Sequence, residues 1–433
     1  MYVARSLGLR YLWIDSICII QQGDDLNDWT REVEVMGKIY SNSFCNISAA
    51  DAPDGQHTTF HSRGLRYLKP QIAQLNLTGH ARSYLISDVK FWTKEVSDAP
   101  INTRGWVLQE RLLPPRVLHF GKHQTLWECL EKDAAGIFPQ GLPKAMSAKV
   151  SRFKDLTSRH IAESAGHRIN PAYRSWISVV KAYMACQLSV PSDKMVALSA
   201  VAKAMRLILN DVYVVGMWRR SLKSELLWSL TKAGARSATR PHVYRAPSWS
   251  WMALDGQVYP GSLWYDNQAQ WLFDVVDLQI KYSTNDDTGP VRDGWLQLRG
   301  ALKQLTLVPA QSSHVYSSDD WEMFVDGVKI SEHTYAGQLL PDVRLDPPYA
   351  GHACKAESDG LCCMPARDHP DNDRSIRILL LEVVDQNKGI YRRVGLALGW
   401  GKGLKQKLRR RSEMEGQFPC EEFFGGWHLI RVI

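Results

Sequence analysis

The spacing of apolar residues changes twice within the first 50 positions, and this limits the folds open to the chain. Tyr11 to Ile14 is a short apolar run that ends at Asp15, which is typical of a buried strand. Four apolar side chains then recur at a helical spacing that places them on one face: Trp29, Val33, Met36 and Tyr40. Phe44 to Ala49 indicates a second strand. Strand, helix and strand in this order predict a parallel pair with a crossover helix.

The spacing of apolar residues also predicts the helices and strands of the rest of the chain. A short helix is predicted from Trp106 to Leu113, stopped by two prolines, with strands at Arg116 to Phe120 and Thr125 to Cys129. Two longer segments have helical periodicity: Ile177 to Leu188 and Lys194 to Leu209. Four later segments are strand-like: Trp295 to Leu298, Leu305 to Val308, Ile376 to Val384 and Trp427 to Val432. Trp249 and Trp251 alternate with serines, which predicts a half-buried strand whose tryptophans pack in a core.

These patterns predict three regions in a chain of 433 residues, which is too long for one ordinary core. Residues 1–145 are expected to form an α/β domain, residues 146–240 a helical region, and residues 241–433 a β-rich region. The fold class is therefore α/β followed by helical and β-rich parts, or α+β overall.

No apolar run approaches the roughly 20 residues that span a bilayer. The first apolar stretch is broken by Arg5, Arg10 and Asp15, so it does not have the pattern of a signal peptide. We therefore expect a cytoplasmic, intracellular protein, and the scattered single cysteines fit a reducing compartment.

The formal net charge of +8 raises the question of a nucleic-acid partner. Basic residues are dense only from Lys402 to Arg411, in a segment flanked by glycines. A solvated loop between strands is favoured there over a nucleic-acid contact, and an acidic lipid or nucleotide remains an alternative partner.

The sequence predicts no metal site. Cys354, Cys362 and Cys363 lie near His352, but their spacing is not that of paired metal ligands, so a loop with free thiols is expected. The chain also lacks the Gly-x-Ser-x-Gly, phosphate-loop and His-Glu-x-x-His motifs.

Two long motifs resemble the HET (heterokaryon incompatibility) domain of filamentous fungi. They are Tyr11-Leu-Trp-Ile-Asp-Ser-Ile-Cys-Ile-Ile-Gln21 and Arg104-Gly-Trp-Val-Leu-Gln-Glu-Arg-Leu-Leu113. Shorter segments that follow these motifs in family members also have counterparts, among them Asp28 to Tyr40, Arg116 to Phe120 and Ala246 to Trp251. Family members usually begin further upstream, with a first strand and a Ser-Tyr-x-Trp-Gly type motif. We expect this chain to be short at its N-terminus.

The resemblance implies a role in fungal non-self recognition and programmed cell death, with other incompatibility proteins or further copies of the chain as partners. HET domains also resemble TIR domains, which are flavodoxin-like α/β modules. Some TIR domains cleave NAD at the nicotinamide–ribose bond, so NAD is the implied substrate, and no cofactor is otherwise implied.

TIR-type enzymes carry their catalytic carboxylate in a Trp-x-x-x-Glu motif, and this chain has Trp106-Val-Leu-Gln-Glu110. On a helix, residues four apart lie on one face, so the ring and the carboxylate would border one pocket. Nicotinamide leaves NAD as a neutral base, so one carboxylate suffices, whereas ordinary glycosidases need two. The alternative interpretation is that Glu110 pairs with Arg104, Arg111 or Arg116 and that Trp106 is a core residue.

Four further residues are candidates for the same pocket. Asp15 and Ser16 follow a predicted strand, and ligands of open parallel sheets bind at the carboxyl ends of strands. Arg104 is a candidate for a phosphate contact and Gln109 for a ribose contact. The alternative for Asp15 is a turn cap.

Three hypotheses follow for the whole protein. It acts in incompatibility signalling through assembly with other proteins, it cleaves NAD with Glu110, or it is a degenerate, non-catalytic scaffold.

Overall fold

A computed structural model describes most of the chain. The described residues are 1–25, 27–57, 60, 64, 71–76, 80–86, 88, 90–143, 146, 152, 154, 171–261, 270–309, 321–329, 334–335, 338–339, 343–347, 360–368, 376–399, 402–411 and 416–433. The chain forms two compact units, Met1–Val150 and Ser151–Ile433. Helices and strands mix in both, and a large sheet dominates the second, which confirms the α+β class.

Four α-helices are described in the first unit: α1 (Tyr2–Ser6), α2 (Asp15–Cys18), α3 (Asn27–Asn42) and α4 (Val107–Leu112). A π-helical turn (Thr93–Ser97) and a 3₁₀ turn (Pro100–Thr103) precede α4. The helix predicted from the apolar spacing is α3. Met36 and Tyr40 are buried, and Trp29 and Val33 pack beside them with part of their surface exposed. The carboxylate of Asp28 accepts the backbone N–H of Ile20 at 2.9 Å, which ties the preceding loop to the start of α3.

The first unit contains two described sheets. β1 (Asn46–Ser48), β4 (Arg116–Phe120), β5 (Thr125–Cys129) and β6 (Asp133–Ala135) form a sheet in that order. β2 (Gln71–Asn76) and β3 (Ala81–Ile86) form a separate hairpin. The three predicted strands in this unit after Asp15 are confirmed by β1, β4 and β5. Only β1 and β4 run parallel in the four-stranded sheet; the other two pairs are antiparallel.

The predicted strand from Tyr11 to Ile14 is wrong. These residues have no regular secondary structure in the described chain, and Tyr11 is 86% exposed. An apolar run becomes a buried strand only if neighbouring strands cover it. Here Trp13 turns to the aromatic cluster on α3, while Leu12 and Ile14 remain exposed. The predicted crossover pair therefore does not form, and Asp15 begins helix α2 and does not follow a strand.

In the second unit, the described α-helices are α5 (Pro171–Met184), α6 (Val196–Leu209), α7 (Leu222–Glu225), α8 (Lys232–Ser237) and α9 (Lys402–Arg409). Short 3₁₀ turns lie at Pro191–Lys194, Arg219–Ser221 and Trp251–Ala253. α5 and α6 confirm the two helices predicted from periodicity, although α5 begins before the predicted Ile177 and ends at Met184.

Short strands pair in three small described sheets of the second unit: β7 (Tyr213–Val214) with β8 (Met217–Trp218), β9 (Ser229–Leu230) with β10 (Val258–Tyr259), and β17 (Thr334–Tyr335) with β18 (Gln338–Leu339). The remaining strands form one large sheet: β11 (Gln270–Trp271), β12 (Phe273–Tyr282), β13 (Val291–Gly300), β14 (Lys303–Pro309), β15 (Trp321–Val325), β16 (Val328–Lys329), β19 (Val343–Leu345), β20 (Leu361–Asp368), β21 (Ile376–Asp385), β22 (Ile390–Gly399), β23 (Glu422–Phe424) and β24 (Trp427–Val432).

The large sheet runs β12-β13-β24-β22-β21-β20-β14-β15-β16 along its main path. Its pairs are antiparallel except β22 with β24. The four strands predicted after residue 290 all lie within it. One core cluster is built on alternate residues of its strands, such as Ile376, Ile378 and Leu380, which are fully buried. Leu379 and Leu381, which point to the other face, are also buried, so this part of the strand is covered on both faces.

The strand predicted around Trp249 and Trp251 is wrong, but the predicted core packing is confirmed. Residues 248–250 form a turn, a 3₁₀ turn follows from Trp251, and both tryptophans are 1% exposed. The serine before each tryptophan donates its hydroxyl to a backbone carbonyl: Ser248 to that of Ile433, and Ser250 to that of Val215. These side-chain hydrogen bonds hold the segment as a turn within the core.

The loop predicted for the basic segment is also wrong, because Lys402–Arg409 is helix α9. The buried Asp368 forms salt bridges with Lys405 (Nζ to Oδ1, 2.9 Å) and with Arg409, and these hold the helix in place.

Cys362 and Cys363 are buried in β20, so the predicted thiol loop is wrong at these two residues. His352 and Cys354 lie outside the described residues.

Two further findings concern metals and membranes. Within the described part of the chain, no group of three or more His, Cys, Asp or Glu side chains is placed to hold a metal ion. The described helices include none that is both long enough and apolar enough to cross a membrane.

Candidate functional site

Glu110 lies in the middle of α4, the short helix that follows Trp106. Asn46, the first residue of β1, donates its side-chain amide to the backbone carbonyl of Glu110 at 2.8 Å. This contact joins the helix to the first strand of the four-stranded sheet. Because the donor lies in a strand and the acceptor in a helix, this hydrogen bond restricts the position of the Glu110 backbone.

The carboxyl group of Glu110 is surrounded by protein although part of its side chain reaches the surface. Burial raises the pKa of Glu110 to about 7, and the negative charge of Asp15 adds to this effect. The positive charge of Arg104 acts in the opposite direction. At neutral pH the protonated and ionised forms of this carboxyl group are both well populated, whereas a glutamate in water is almost entirely ionised.

Tyr40 is a fourth member of the electrostatic cluster. Burial raises the pKa of the Tyr40 hydroxyl well above its usual range, and the charges of Glu110 and Asp15 add to the effect. The hydroxyl therefore stays protonated and faces two acidic groups as a neutral dipole. Sequence reasoning assigned Tyr40 only to the apolar face of α3 and missed this role.

Aromatic side chains line the protein side of the cluster. The rings of Trp29 and Trp106 meet edge to face, with centroids 6.2 Å apart. Trp13 and Tyr40 meet in the same manner at 5.6 Å. All four belong to one apolar cluster with Ile19 and Met36. Trp106 is thus a packing residue, as the alternative interpretation held, and it also lies beside the helix that carries Glu110.

The structure brings Asp15 and Arg104 to Glu110 but leaves both side chains exposed. Asp15 is the first residue of α2, and its Oδ1 accepts the backbone N–H of Ser16 at 2.7 Å. Ser16 is exposed as well and borders the cluster through Asp15. A solvent-facing pair of opposite charges beside a shielded carboxyl group can bind a ligand that itself carries both charges.

Gln109 is 1% exposed, whereas its neighbour Glu110 reaches the surface. Successive residues on a helix point about 100° apart, so the two side chains occupy different faces of α4. The side-chain nitrogen of Gln109 has no hydrogen-bond partner in the described part of the protein. Its assignment to a ribose contact remains a prediction.

The arginines considered as partners of Glu110 have three different environments. Arg104 lies within electrostatic reach of Glu110. Arg111 forms a bidentate pair with Glu128, through Nε–Oε2 at 2.8 Å and Nη2–Oε1 at 2.9 Å. Arg116 donates to the carbonyl of Phe44, and its guanidinium lies 5.1 Å from the centre of that ring. Of these three arginines, the exposed Arg104 is the one whose charge acts on the pKa of Glu110.

The buried network around Glu128 was missed by sequence reasoning. Besides Arg111, the carboxylate contacts His119 Nε2 at 3.0 Å, and both residues lie on β4 or the helix before it. Although burial raises the pKa of Glu128, the charge of Arg111 and the hydrogen bond of His119 hold it well below its usual range. The sequence of β5 contains a signal for this network. Side chains two residues apart in a strand point to the same face, so Glu128 lies on the same buried face as Leu126 and needs a buried partner.

The cluster lies within a segment that matches a known family. Residues 1–110 match the family model described as heterokaryon incompatibility protein (HET). This segment is similar to a HET domain. All six residues selected from sequence for the site, from Asp15 to Glu110, fall within the matched segment.

Other comparisons add no relatives to the HET match. Comparison with curated proteins gave no match, and comparison with solved structures gave none either. The match relates residues 1–110 to heterokaryon incompatibility proteins. The resemblance noted beyond residue 110 stays an expectation.

Proposed function

We propose that this HET protein cleaves NAD at the nicotinamide–ribose bond and that Glu110 is its catalytic residue. One observation carries the proposal: Glu110, Asp15 and Arg104 come together beside an aromatic cluster, and the pKa of Glu110 is raised to about 7. A shielded carboxyl group with a shifted pKa is a common property of catalytic acids and bases.

The charges of NAD fit this arrangement. Its nicotinamide ring is cationic and its diphosphate is anionic, while the cluster offers two carboxyl groups, those of Glu110 and Asp15, and the guanidinium of Arg104. A cation within a few ångströms favours the ionised form of a carboxyl group. Substrate binding is therefore expected to lower the pKa of Glu110 and to supply the carboxylate that the reaction needs.

The reaction itself needs little beyond that carboxylate. The bond between the anomeric carbon of the ribose and the nicotinamide nitrogen breaks, and its electron pair leaves with nicotinamide as a neutral base. Positive charge develops on the ribosyl carbon and ring oxygen, and the ionised Glu110 stabilises it. Water then adds to the anomeric carbon and loses a proton, which gives ADP-ribose.

The test is NAD consumption by the purified protein, with products separated by chromatography. The Glu110→Gln variant keeps the shape of the side chain and removes its charge, so we expect nicotinamide release to fall at least 100-fold. The matched control is Glu34→Gln, which changes an exposed carboxylate on α3. The proposal fails if the original chain releases no nicotinamide while folded, or if Glu110→Gln releases it at the original rate.

A role in assembly is the second candidate, and a separate observation favours it. Several large apolar side chains among the first 20 residues are exposed: Met1, Tyr2, Leu7, Tyr11, Leu12, Ile14, Ile17 and Ile20. Exposed apolar surface on this scale commonly marks a protein contact. If induced expression in yeast arrests growth equally with and without the Glu110 charge, while cellular NAD holds, then assembly is the better explanation.

A further inference from the structure

Strand β12 lies at an edge of the large sheet. One of its sides pairs with β13, and within the described part of the chain no strand pairs with the other side. The preceding strand, β11, pairs with β20, so the edge opens only after it. Register shifts between Val275 and Asp277 and between Lys281 and Tyr282 then leave five residues in unbroken register with β13. These residues, 277–281, are called the edge segment.

Hydrogen bonds elsewhere in the sheet fix the direction of the backbone groups in the edge segment. The N–H and C=O groups of successive residues in an antiparallel pair point to opposite sides of the strand. Arg431 on β24 donates its N–H to the carbonyl of Gly389 at 3.0 Å, on the side of β22. The residues before and after Arg431 therefore bond to β13, and on β13 the alternate residues Trp295 and Gln297 bond to β12.

Leu278 and Ile280 consequently present their backbone groups at the open edge. Asp277 and Gln279 pair with the two β13 residues that face β12, so the backbone groups of the next residue along point away from the sheet. A separate contact agrees with this direction, because the N–H of Leu278 donates to Asp277 Oδ1 at 2.8 Å. Outward backbone groups on an edge strand are a template for pairing with another strand.

The side chains of the edge segment divide between the two faces of the sheet. Asp277, Gln279 and Lys281 lie on one face and are exposed. Leu278 and Ile280 lie on the other face and are half-buried. The order along the strand is therefore acid, apolar, amide, apolar, base. This order is symmetric about Gln279, except that the two ends carry opposite charges, and such a strand is complementary to an antiparallel copy of itself.

We propose that the edge segment pairs antiparallel with the edge segment of a second copy of the chain, which joins the two large sheets across a twofold axis at Gln279. On the covered face, Leu278 then lies opposite Ile280 of the second copy, and the outward N–H and C=O groups of these two residues bond to each other. On the exposed face, Asp277 lies opposite Lys281 of the second copy. Twofold symmetry forms each of these contacts twice.

Charge selects this register from those that the backbone allows. A twofold axis at Leu278 or at Ile280 would also bring outward groups together. It would, however, place Asp277 and Lys281 opposite uncharged residues. The axis at Gln279 is the one that pairs each acid with a base, and opposite charges directly across a strand pair stabilise it.

The charges nearby leave Asp277 in need of a cation. Asp277 forms no salt bridge within the described part of its own chain. Lys281 bonds to Asp293 at 3.2 Å, and both side chains are exposed, so the ammonium group can also reach a second carboxylate. Three further exposed charges lie on β12 and β13, all outside the edge segment: Asp274, which pairs with Lys223, and the two arginines Arg292 and Arg299.

The register shifts limit the size of this interface. Shifts at both ends of the edge segment interrupt the regular edge, so the ladder between two copies stays short. Because the same segment serves both copies, the contact closes as a dimer and does not extend into a filament. Small interfaces bind weakly, so we expect a dissociation constant of about 1–50 µM.

Sedimentation of the full chain in the analytical ultracentrifuge tests the proposal. We expect a monomer–dimer equilibrium at concentrations up to about 100 µM, where weak interfaces are occupied. D277K and K281D each place like charges opposite one another twice, so each should weaken the dimer about tenfold or more. The variant D277K/K281D exchanges the two charges and should restore the dissociation constant to within about threefold of the original.

Hydrogen exchange gives a second readout that depends on the backbone. The amides of Leu278 and Ile280 should exchange more slowly as the protein concentration rises, because the second copy accepts their N–H groups. The amide of Gln279 bonds to β13 in the single copy, so its exchange should not depend on concentration in this way. The amides of D277K should show no such slowing at the same concentrations.

The controls for net charge are E34K and K38E, at two exposed residues of α3, and both should dimerise like the original chain. The proposal is overturned if the original chain stays monomeric over this range, if D277K and K281D dimerise like the original, or if D277K/K281D stays as weak as either. A dimer lost in Ile17→Ser but kept in D277K would place the contact among the first 20 residues and would also overturn it. NAD cleavage is measured separately and does not enter these outcomes.

Discussion

Arg111 and Glu128 form a bidentate salt bridge inside the first unit, with N–O distances of 2.8 and 2.9 Å. Arg111 belongs to α4, the helix that carries Glu110, and Glu128 belongs to β5. The pair therefore fastens the candidate catalytic helix to the sheet. His119 contacts the same carboxylate from β4, so three elements meet at one buried charge.

Replacing Glu128 with Gln should destabilise the first unit by about 3–5 kcal/mol, because the guanidinium of Arg111 then stays buried without a counter-charge. The free energy of unfolding is measured by urea titration, with hydrogen exchange in β4 and β5 to assign the loss to this sheet. Glu34→Gln on α3 serves as the exposed control. An unchanged free energy for Glu128→Gln would contradict the proposed anchoring.

The raised pKa of Glu110 predicts a particular pH dependence of stability. Its folded-state pKa is about 7, above the ordinary value of 4.5 for an unfolded glutamate. A group whose pKa is raised on folding contributes its full stability below the unfolded pKa and loses it as pH rises through the folded pKa. The Glu110→Gln variant has no carboxyl group at this position, so its stability does not fall in this way as the pH rises. The variant should match the original chain at pH 4.5 and exceed its stability by about 3 kcal/mol at pH 8.

The measurement is the difference in unfolding free energy between the two proteins at several pH values from 4.5 to 8. Taking the difference cancels the titration of all other groups. Glu34→Gln again supplies the comparison, and its difference from the original chain should stay flat over this range. If the Glu110→Gln difference is also flat, then Glu110 is not shielded as the structure indicates.

The elements that sequence predicted well are those whose periodicity is complete within one segment. The positions of α3, β4 and β5 follow from local signals, because α3 has apolar residues at helical spacing and β4 and β5 are short runs separated by a turn. Tyr11 to Ile14 has the same local signal as a strand, yet it remains outside any sheet. Strand formation depends on what covers the segment, and periodicity contains no information about that.

The candidate site shows the same limit. Resemblance to the TIR-type Trp-x-x-x-Glu motif selected Trp106 and Glu110, and their four-residue spacing fits one face of a helix. The pKa of Glu110 depends on burial and on the charge of Asp15, which is distant in sequence. The role of Tyr40 and the pairing of Arg111 with Glu128 also depend on long-range contacts. A motif can name the residue, but only the fold sets its chemistry.

The edge-to-face contact of Trp29 and Trp106 should couple α3 to the start of α4. Trp106→Ala is expected to cost about 3 kcal/mol, since a large apolar area is lost. A double-mutant cycle with Trp29→Ala isolates the ring–ring contact, for which we expect a coupling of about 1 kcal/mol. A coupling of zero would mean that each ring packs independently, and that Trp106 does not transmit the position of α3 to Glu110.

In the second unit, Gly216 is expected to tolerate no side chain. It has φ of +90° in the turn between β7 and β8, and its carbonyl accepts the indole N–H groups of Trp176 (3.2 Å) and Trp251 (3.1 Å). A Cβ at this position would lie 2.7 Å from a ring atom of Trp251. Gly216→Ala therefore adds a clash to backbone strain, and the two buried indoles lose their acceptor if the turn moves.

Gly327→Ala separates these two causes. Gly327 also has a positive φ, +73°, but nothing lies within 4 Å of its Cβ position. Gly327→Ala should lose about 1–2 kcal/mol of stability, from backbone strain alone. Gly216→Ala should lose several kcal/mol, because the clash adds to the strain. Thermal unfolding of both variants measures the difference. Equal losses would mean that the core around Trp251 yields to an added methyl group, and that the packing of the buried tryptophans is not what holds this turn.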